Sequence, residues 1–317
     1  MSNDKSNLQR LLEAGHFTVS GEIGPPIGSD AEVVRHHANT LKGFVDAANV
    51  TDCQTAVVRM SSLAASYLSM QSGLEPVLQM TCRDRNRIAI QSDLLGAYAL
   101  GLRNLLVLSG DHQCFGNHPQ SKNVFDVDSI QLIKALAAQS ADGVLMSGSK
   151  TKSPAHFFLG ATVNPFADPE ELQLIRLEKK IRAGAKFVQT QAIYNLERFS
   201  AWMEKVRERG LHEQAYFLAG IVVNKSQKSI EITATVPGMN IPEHLIEQMR
   251  NAEDKKEEGV AIALSLINAL KNIKGVSGIH IMAIGWEEIV PRLVTEAKLL
   301  PRPVLSSSDI ATSDNLI

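Results

Sequence analysis

Short apolar runs alternate with stretches of helical period along most of the chain, and this alternation predicts the fold. Strands are expected at 17–23, 47–51, 76–81, 104–108, 156–163, 187–192, 216–222 and 278–283. Helical patterns fall between them at 30–41, 61–71, 87–100, 129–138, 169–183 and 196–209, then in two parts at 241–250 and 255–271, and finally at 287–298. Asp168-Pro169-Glu170-Glu171 reads as a capping Asp, a Pro at the first helical position and a Glu three residues after the cap, and Ser29-Asp30-Ala31-Glu32 reads as a second capping box. Leu174, Leu177 and Ile181 make one apolar stripe, and Gly184 marks the stop.

The strands are nearly continuous apolar runs, the signature of parallel strands covered by helices on their outer face. Eight strand–helix pairs between 17 and 300 predict an α/β fold, a single-domain (β/α)8 TIM barrel. A doubly wound open sheet is the rival. It would ordinarily carry a Gly-rich phosphate loop after its first strand, and neither G-x-G-x-x-G nor a P-loop occurs in the chain. The expected organisation is a helical extension at 1–16 with a short amphipathic helix at 8–12, the barrel at 17–300, and a mobile tail at 301–317 rich in Pro and Ser.

Composition narrows the function classes. With 32 Lys+Arg against 34 Asp+Glu, the formal charge is −2, which leaves few spare cations for a nucleic-acid-binding face. Neither a signal peptide nor an apolar run long enough for a membrane span is expected, and the three cysteines, Cys53, Cys82 and Cys114, suit a reducing cytoplasm. Three thiols are one short of a four-thiolate iron–sulfur cluster. His112, Cys114 and His118 share one loop, but their spacing matches no established zinc pattern, so no metal is expected and the segment reads as a lid loop or turn.

Active sites of this barrel class lie at the C-terminal ends of the strands. Polar residues there are Glu22, Thr51-Asp52, Gln79 with Arg83-Asp84, Ser109-Gly110-Asp111, Asn164, Gln189 with Gln191, Asn224 and Gly285-Trp286. Glu22 stands out, because an apolar strand delivers its carboxylate to the mouth and Pro25-Pro26 end the strand behind it. Desolvation there would raise its pKa toward that of a general acid; the alternative is a loop cap or a pair with Arg83. Asp111 is the second carboxylate, beside a glycine that permits close backbone approach; otherwise it is an ordinary turn Asp. Arg176, Glu178, Lys179, Lys180 and Arg182, at the end of the helix expected at 169–183, read as a solvated face or as a phosphate contact.

Taken in order, Glu22-Ile23-Gly24-Pro25-Pro26, Val50-Thr51, Thr81-Cys82-Arg83-Asp84, Gly110-Asp111, Lys179-Lys180-Ile181-Arg182-Ala183-Gly184-Ala185 and Thr190-Gln191 resemble the 5,10-methylenetetrahydrofolate reductase family, most closely its acetogenic-bacterial branch. The resemblance covers about 17–300. It implies a flavin, FAD or FMN, in the barrel mouth, and hydride transfer from its N5 to the methylene carbon of the folate. It implies Glu22 as the acid that opens the folate ring, Asp111 beside the flavin and pterin, and Gln191 at the substrate. Thr51, Ala161 and Lys180 match flavin contacts, Lys180 on the phosphate side, and the strand-end positions Gln79, Ser109, Gly110 and Asn164 are expected against the same cofactor. At three of these the family pattern changes: its usual His is Gln79, its Arg-Gly-Asp is Ser109-Gly110-Asp111, and its Tyr-Pro-Glu-x-His-Pro is Thr162-Val163-Asn164-Pro165, which leaves both flavins open. The implied electron donor is NAD(P)H or a zinc- and iron–sulfur-containing partner subunit, in a homo- or hetero-oligomer. Two other readings are a flavin-free, pterin-binding barrel of methyltransferase type and a non-catalytic docking subunit of a redox complex.

Overall fold

The computed structural model describes residues 5–305. Eight parallel strands close a barrel in sequence order: β1 (Thr18–Ile23), β2 (Ala47–Val50), β3 (Pro76–Thr81), β4 (Asn104–Leu108), β5 (Phe158–Val163), β6 (Phe187–Ala192), β7 (Tyr216–Val222) and β8 (Val276–Met282). The seam is an ordinary parallel pairing, with Thr18 opposite Gly278 and Ser20 opposite His280. Helix α1 (Asn7–Glu13) precedes the barrel. The connections carry α2 (Ala31–Leu41), α3 (Ser62–Gln71), α4 (Arg87–Ala99), α5 (Ser129–Asp142), α6 (Glu170–Ala183) and α7 (Leu196–Glu208). Three helices join β7 to β8: α8 (Gln227–Thr235), α9 (Glu243–Asn251) and α10 (Lys255–Leu270). The last expected helix divides into a 3-10 turn at Glu287–Ile289 and α11 (Val290–Glu296).

Caps fix most helix starts, and two differ from the sequence reading. The α6 cap position is Pro169 with no side-chain bond, while Asp168 lies 3.5 Å from Arg198 as an ion pair. At α2 the cap is Asp30 itself, accepting from the Glu32 N–H. Helix α8 has no counterpart among the expected elements: its sequence buries only Ile230, so no apolar stripe announces it, and a Ser226/Ser229 capping box starts it.

Alternation along each strand sends one set of side chains to the helices and the other into the barrel. The inward set at the bottom of the barrel is apolar: Ala47, Val77, Leu106, Phe158, Phe187 and Leu218, packed against Leu8 and Leu12 of α1. That helix plugs the floor. Its first N–H groups are held by the Glu75 carboxylate, 2.7 Å from Asn7 N and 2.9 Å from Leu8 N, and burial pushes the Glu75 pKa up. Phe158 and Phe187 stack at 5.0 Å, with room made by Gly160, where a methyl would sit 2.2 Å from the Phe187 ring. Gly160→Ala is therefore expected to cost about 1–3 kcal/mol through overpacking, read as a lower denaturation midpoint with the mouth chemistry intact.

In the part of the tail that the structure describes, one residue, Arg302, contacts the barrel. Arg302 donates to Phe17 O at 2.9 Å and Leu299 O at 2.7 Å, and pairs with buried Asp46; 306–317 lie outside the described residues. Among the described residues no helix is long and apolar enough to cross a membrane.

Candidate active site

Above the apolar floor, the inward-facing positions turn polar and enclose a cavity of about 440 Å³ at the C-terminal ends of the strands, a size suited to small ligands. Eight of the ten expected site residues line it: Glu22, Gln79, Ser109, Gly110, Asp111, Asn164, Lys180 and Gln191. The other two do not. Ala161 is wholly buried in the core between the strands and the helices, because it falls on the outward parity of β5; its neighbour Thr162 faces the cavity instead. Thr51 is buried behind the wall, where its hydroxyl donates to Gln54 Oε1 at 2.9 Å and so orients a cavity residue.

Glu22 is 13% exposed, enough for a ligand to reach it, and it does not pair with Arg83, which turns to Asp84. Its Oε2 lies 3.5 Å from His280 Nε2, and the other nitrogen of that buried ring, Nδ1, lies 3.0 Å from Ser20 Oγ. Behind Ser20, Gln189 Nε2 approaches its hydroxyl at 3.5 Å, and Gln189 and Asn49 exchange two amide bonds of 2.6 and 3.1 Å. The result is a hydrogen-bonded line from the strand interior to one carboxylate. When the Ser20 O–H points at the ring, Nε2 carries the proton toward Glu22; when it points at Ile279 O, 3.4 Å away, Nε2 is free to accept one.

Gly110 makes the turn that delivers Asp111: its φ is +88°, and a methyl there would meet Thr81 and Arg83 at 3.1 Å. Asp111 Oδ2 accepts the Thr55 N–H at 3.1 Å. Ser109 Oγ lies 3.4 Å from Ser129 Oγ, and Asn164 accepts from Phe166 N while donating to Pro237 O. The Gln79 and Gln191 amides have no hydrogen-bond partner among the described residues, so a ligand can satisfy them. The Asn224 amide donates instead to Tyr194 Oη at 2.6 Å, outside the cavity wall. His112 Nδ1 accepts from Cys114 N, and no group of three or more potential metal ligands converges among the described residues.

Lys180 Nζ donates to Thr162 O at 2.7 Å, and burial, reinforced by the Arg176 charge, lowers its pKa to about 8. Arg176 lines the same cavity one helical turn away. Because the Lys180 pKa is depressed below its unfolded value, its charge opposes folding in full below about pH 8, and the penalty fades as pH rises toward 10.5. An anion beside the two cations would offset it. Added pyrophosphate is thus expected to raise the melting temperature more at pH 7 than at pH 9.5, and Lys180→Met should remove the difference.

The sequence reading did not assign Asn49, Gln54 or His280 to the site, nor give Gln189 a role; Arg176 entered it only as one of several charges at a helix end. His280 carried a signal: it is the one ionisable residue in an apolar strand, at a position that faces Ser20 across the seam.

Comparison with known proteins places these features in a family. The family model described as methylenetetrahydrofolate reductase matches residues 7–298. The 5,10-methylenetetrahydrofolate reductase of Pectobacterium carotovorum is 23% identical over 91% of this chain and 93% of its own length. A probable methylenetetrahydrofolate reductase (NADPH) of Caenorhabditis elegans is 26% identical over 61% of this chain but 27% of its own length, and methylenetetrahydrofolate reductase 2 of Saccharomyces cerevisiae is matched over 40% of its length. This chain thus spans well under half of those eukaryotic relatives. Among solved structures, an uncharacterized Clostridium thermocellum protein described as binding two copies of 5-methyl-5,6,7,8-tetrahydrofolic acid shares the fold at a TM-score of 0.66 and 16% identity, covering 93% of this chain and 100% of that one. A family match across nearly the whole barrel, with the expected carboxylates in its mouth, leads to one conclusion: the chain belongs to the methylenetetrahydrofolate reductase family.

Proposed function

We propose that the protein reduces 5,10-methylenetetrahydrofolate to 5-methyltetrahydrofolate, with a flavin as hydride carrier and Glu22 as the general acid. The observation that carries this reading is the buried line Asn49–Gln189–Ser20–His280 ending on the accessible carboxylate of Glu22. Reduction of the folate needs one proton and one hydride. A bound flavin supplies the hydride; the chain must supply the proton and the alignment. The residues present fit such a group: the unpaired amides of Gln79 and Gln191 can meet its polar edge, Gly110 leaves the wall open where a methyl would not fit, and Lys180 with Arg176 can hold a phosphate. FAD and FMN both satisfy this set.

Glu22 delivers a proton to N10 as the bond from N10 to the methylene carbon breaks, leaving the N5 iminium ready to accept hydride. His280 faces Glu22 on the side of the strand interior and can return a proton to it between turnovers. Asp111, anchored through one oxygen, keeps the other for the ligand; its charge holds the pterin and disfavours reduction of a flavin beside it. The electron donor is NAD(P)H or a redox partner subunit, and the assignment to the acetogenic-bacterial branch rests on the sequence motifs alone.

The test is direct. Purified protein should be yellow, release FAD or FMN by mass spectrometry, and, once reduced, be reoxidised by methylenetetrahydrofolate. Colourless protein that takes up no flavin yet binds 5-methyltetrahydrofolate would replace this reading with the flavin-free pterin-binding barrel.

A further inference from the structure

Arg83 is only 2% exposed, yet its side chain forms part of the wall of the mouth. Its guanidinium grips the Asp84 carboxylate in a fork, Nε to Oδ1 at 2.8 Å and Nη2 to Oδ2 at 2.6 Å. The remaining donors reach two main-chain carbonyls, Cys53 from Nη2 and Asp111 from Nη1, each at 3.1 Å. One side chain thereby joins the segments that follow β2, β3 and β4.

What it joins is strained. Cys53, Thr55 and Ala56 all hold left-handed backbone, with φ of 44°, 54° and 57°. Non-glycine residues keep such a conformation only where their surroundings over-determine it, and such turns concentrate at ligand sites. Four contacts pin this one: the Cys53 carbonyl on Arg83, the Thr55 N–H on Asp111 Oδ2, the Val58 N–H on Asn117 Oδ1, and Gly116 packed where a methyl would fall 1.8 Å from the Ala56 carbonyl. Asp111 is therefore gripped twice, at its carbonyl by Arg83 and at its carboxylate by a turn that Arg83 also holds.

We propose that Arg83 is a positioning residue that sets the place of the Asp111 carboxylate in the mouth, and through it the affinity for the ligand bound there. The inference rests on the reading of this cavity as a folate site. Arg83 acts through Asp111 and needs no contact with the ligand. Were it only a buried ion pair with Asp84, its loss would lower stability without regard to what stands at position 111.

A double-mutant cycle separates the two. Arg83→Met, Asp111→Asn and their combination are compared with the full-length protein for 5-methyltetrahydrofolate binding by calorimetry, alongside hydrogen exchange in segments 52–58 and 110–117. Each single variant should weaken binding about tenfold, and the double variant should fall within about twofold of Asp111→Asn alone. Exchange should rise in both segments and stay unchanged in the rest of the barrel. Arg83→Lys should recover part of the affinity, because an ammonium can bond a carbonyl but lacks the fork; it also replaces Arg83→Met in the cycle if that variant does not fold. Multiplying effects, or unchanged exchange in the two segments, would overturn the proposal. If the unmodified protein binds no 5-methyltetrahydrofolate, the folate reading fails, and the exchange measurement decides the role of Arg83 by itself.

Discussion

Glu22→Gln is expected to lower folate reduction by about 10³-fold while bound flavin remains reducible by its donor, because a carboxamide keeps the shape of the side chain and cannot release the proton. Single-turnover kinetics check this by separating the half-reactions: reduction of the flavin at a near-normal rate, reoxidation by methylenetetrahydrofolate almost stopped. The substitution conserves volume and falls on a side chain 13% exposed whose one polar contact among the described residues is His280 at 3.5 Å, so the fold should survive it. Near-normal reoxidation would remove Glu22 from the acid role.

His280→Phe is the second large effect. The ring volume is kept, but Ser20 Oγ loses its 3.0 Å partner and Glu22 loses the nitrogen that can restore its proton. Turnover is expected to fall by about 10²-fold with flavin content unchanged. Two residues acting as a unit do not multiply their losses, so the Glu22→Gln/His280→Phe protein should be no slower than Glu22→Gln alone. Full multiplication of the two losses would show that His280 acts on something other than Glu22.

These two residues also show what could be read from the chain and what could not. Glu22 was legible because an apolar strand followed by two prolines points its last polar residue at the mouth of a barrel. His280 became part of the site only through its partners, Ser20, 260 positions away, and Glu22 beyond it, a proximity that exists once the barrel closes. The strands were legible from apolar runs and proline or glycine punctuation, yet their parity was not. With nearly every position apolar, nothing local says that Thr162 faces inward and Ala161 outward. Helix α8 escaped for the reverse reason: one buried side chain gives no period to detect.

The plug formed by α1 carries a kinetic consequence. With Leu8 and Leu12 packed across the lower end of the barrel, the described residues leave the cavity open only at the mouth, so under the proposed function a reductant and a folate that use one flavin would have to queue at a shared entrance. Each arrival waits on the previous departure, and initial-rate plots against one reactant at fixed levels of the other should run as parallel lines.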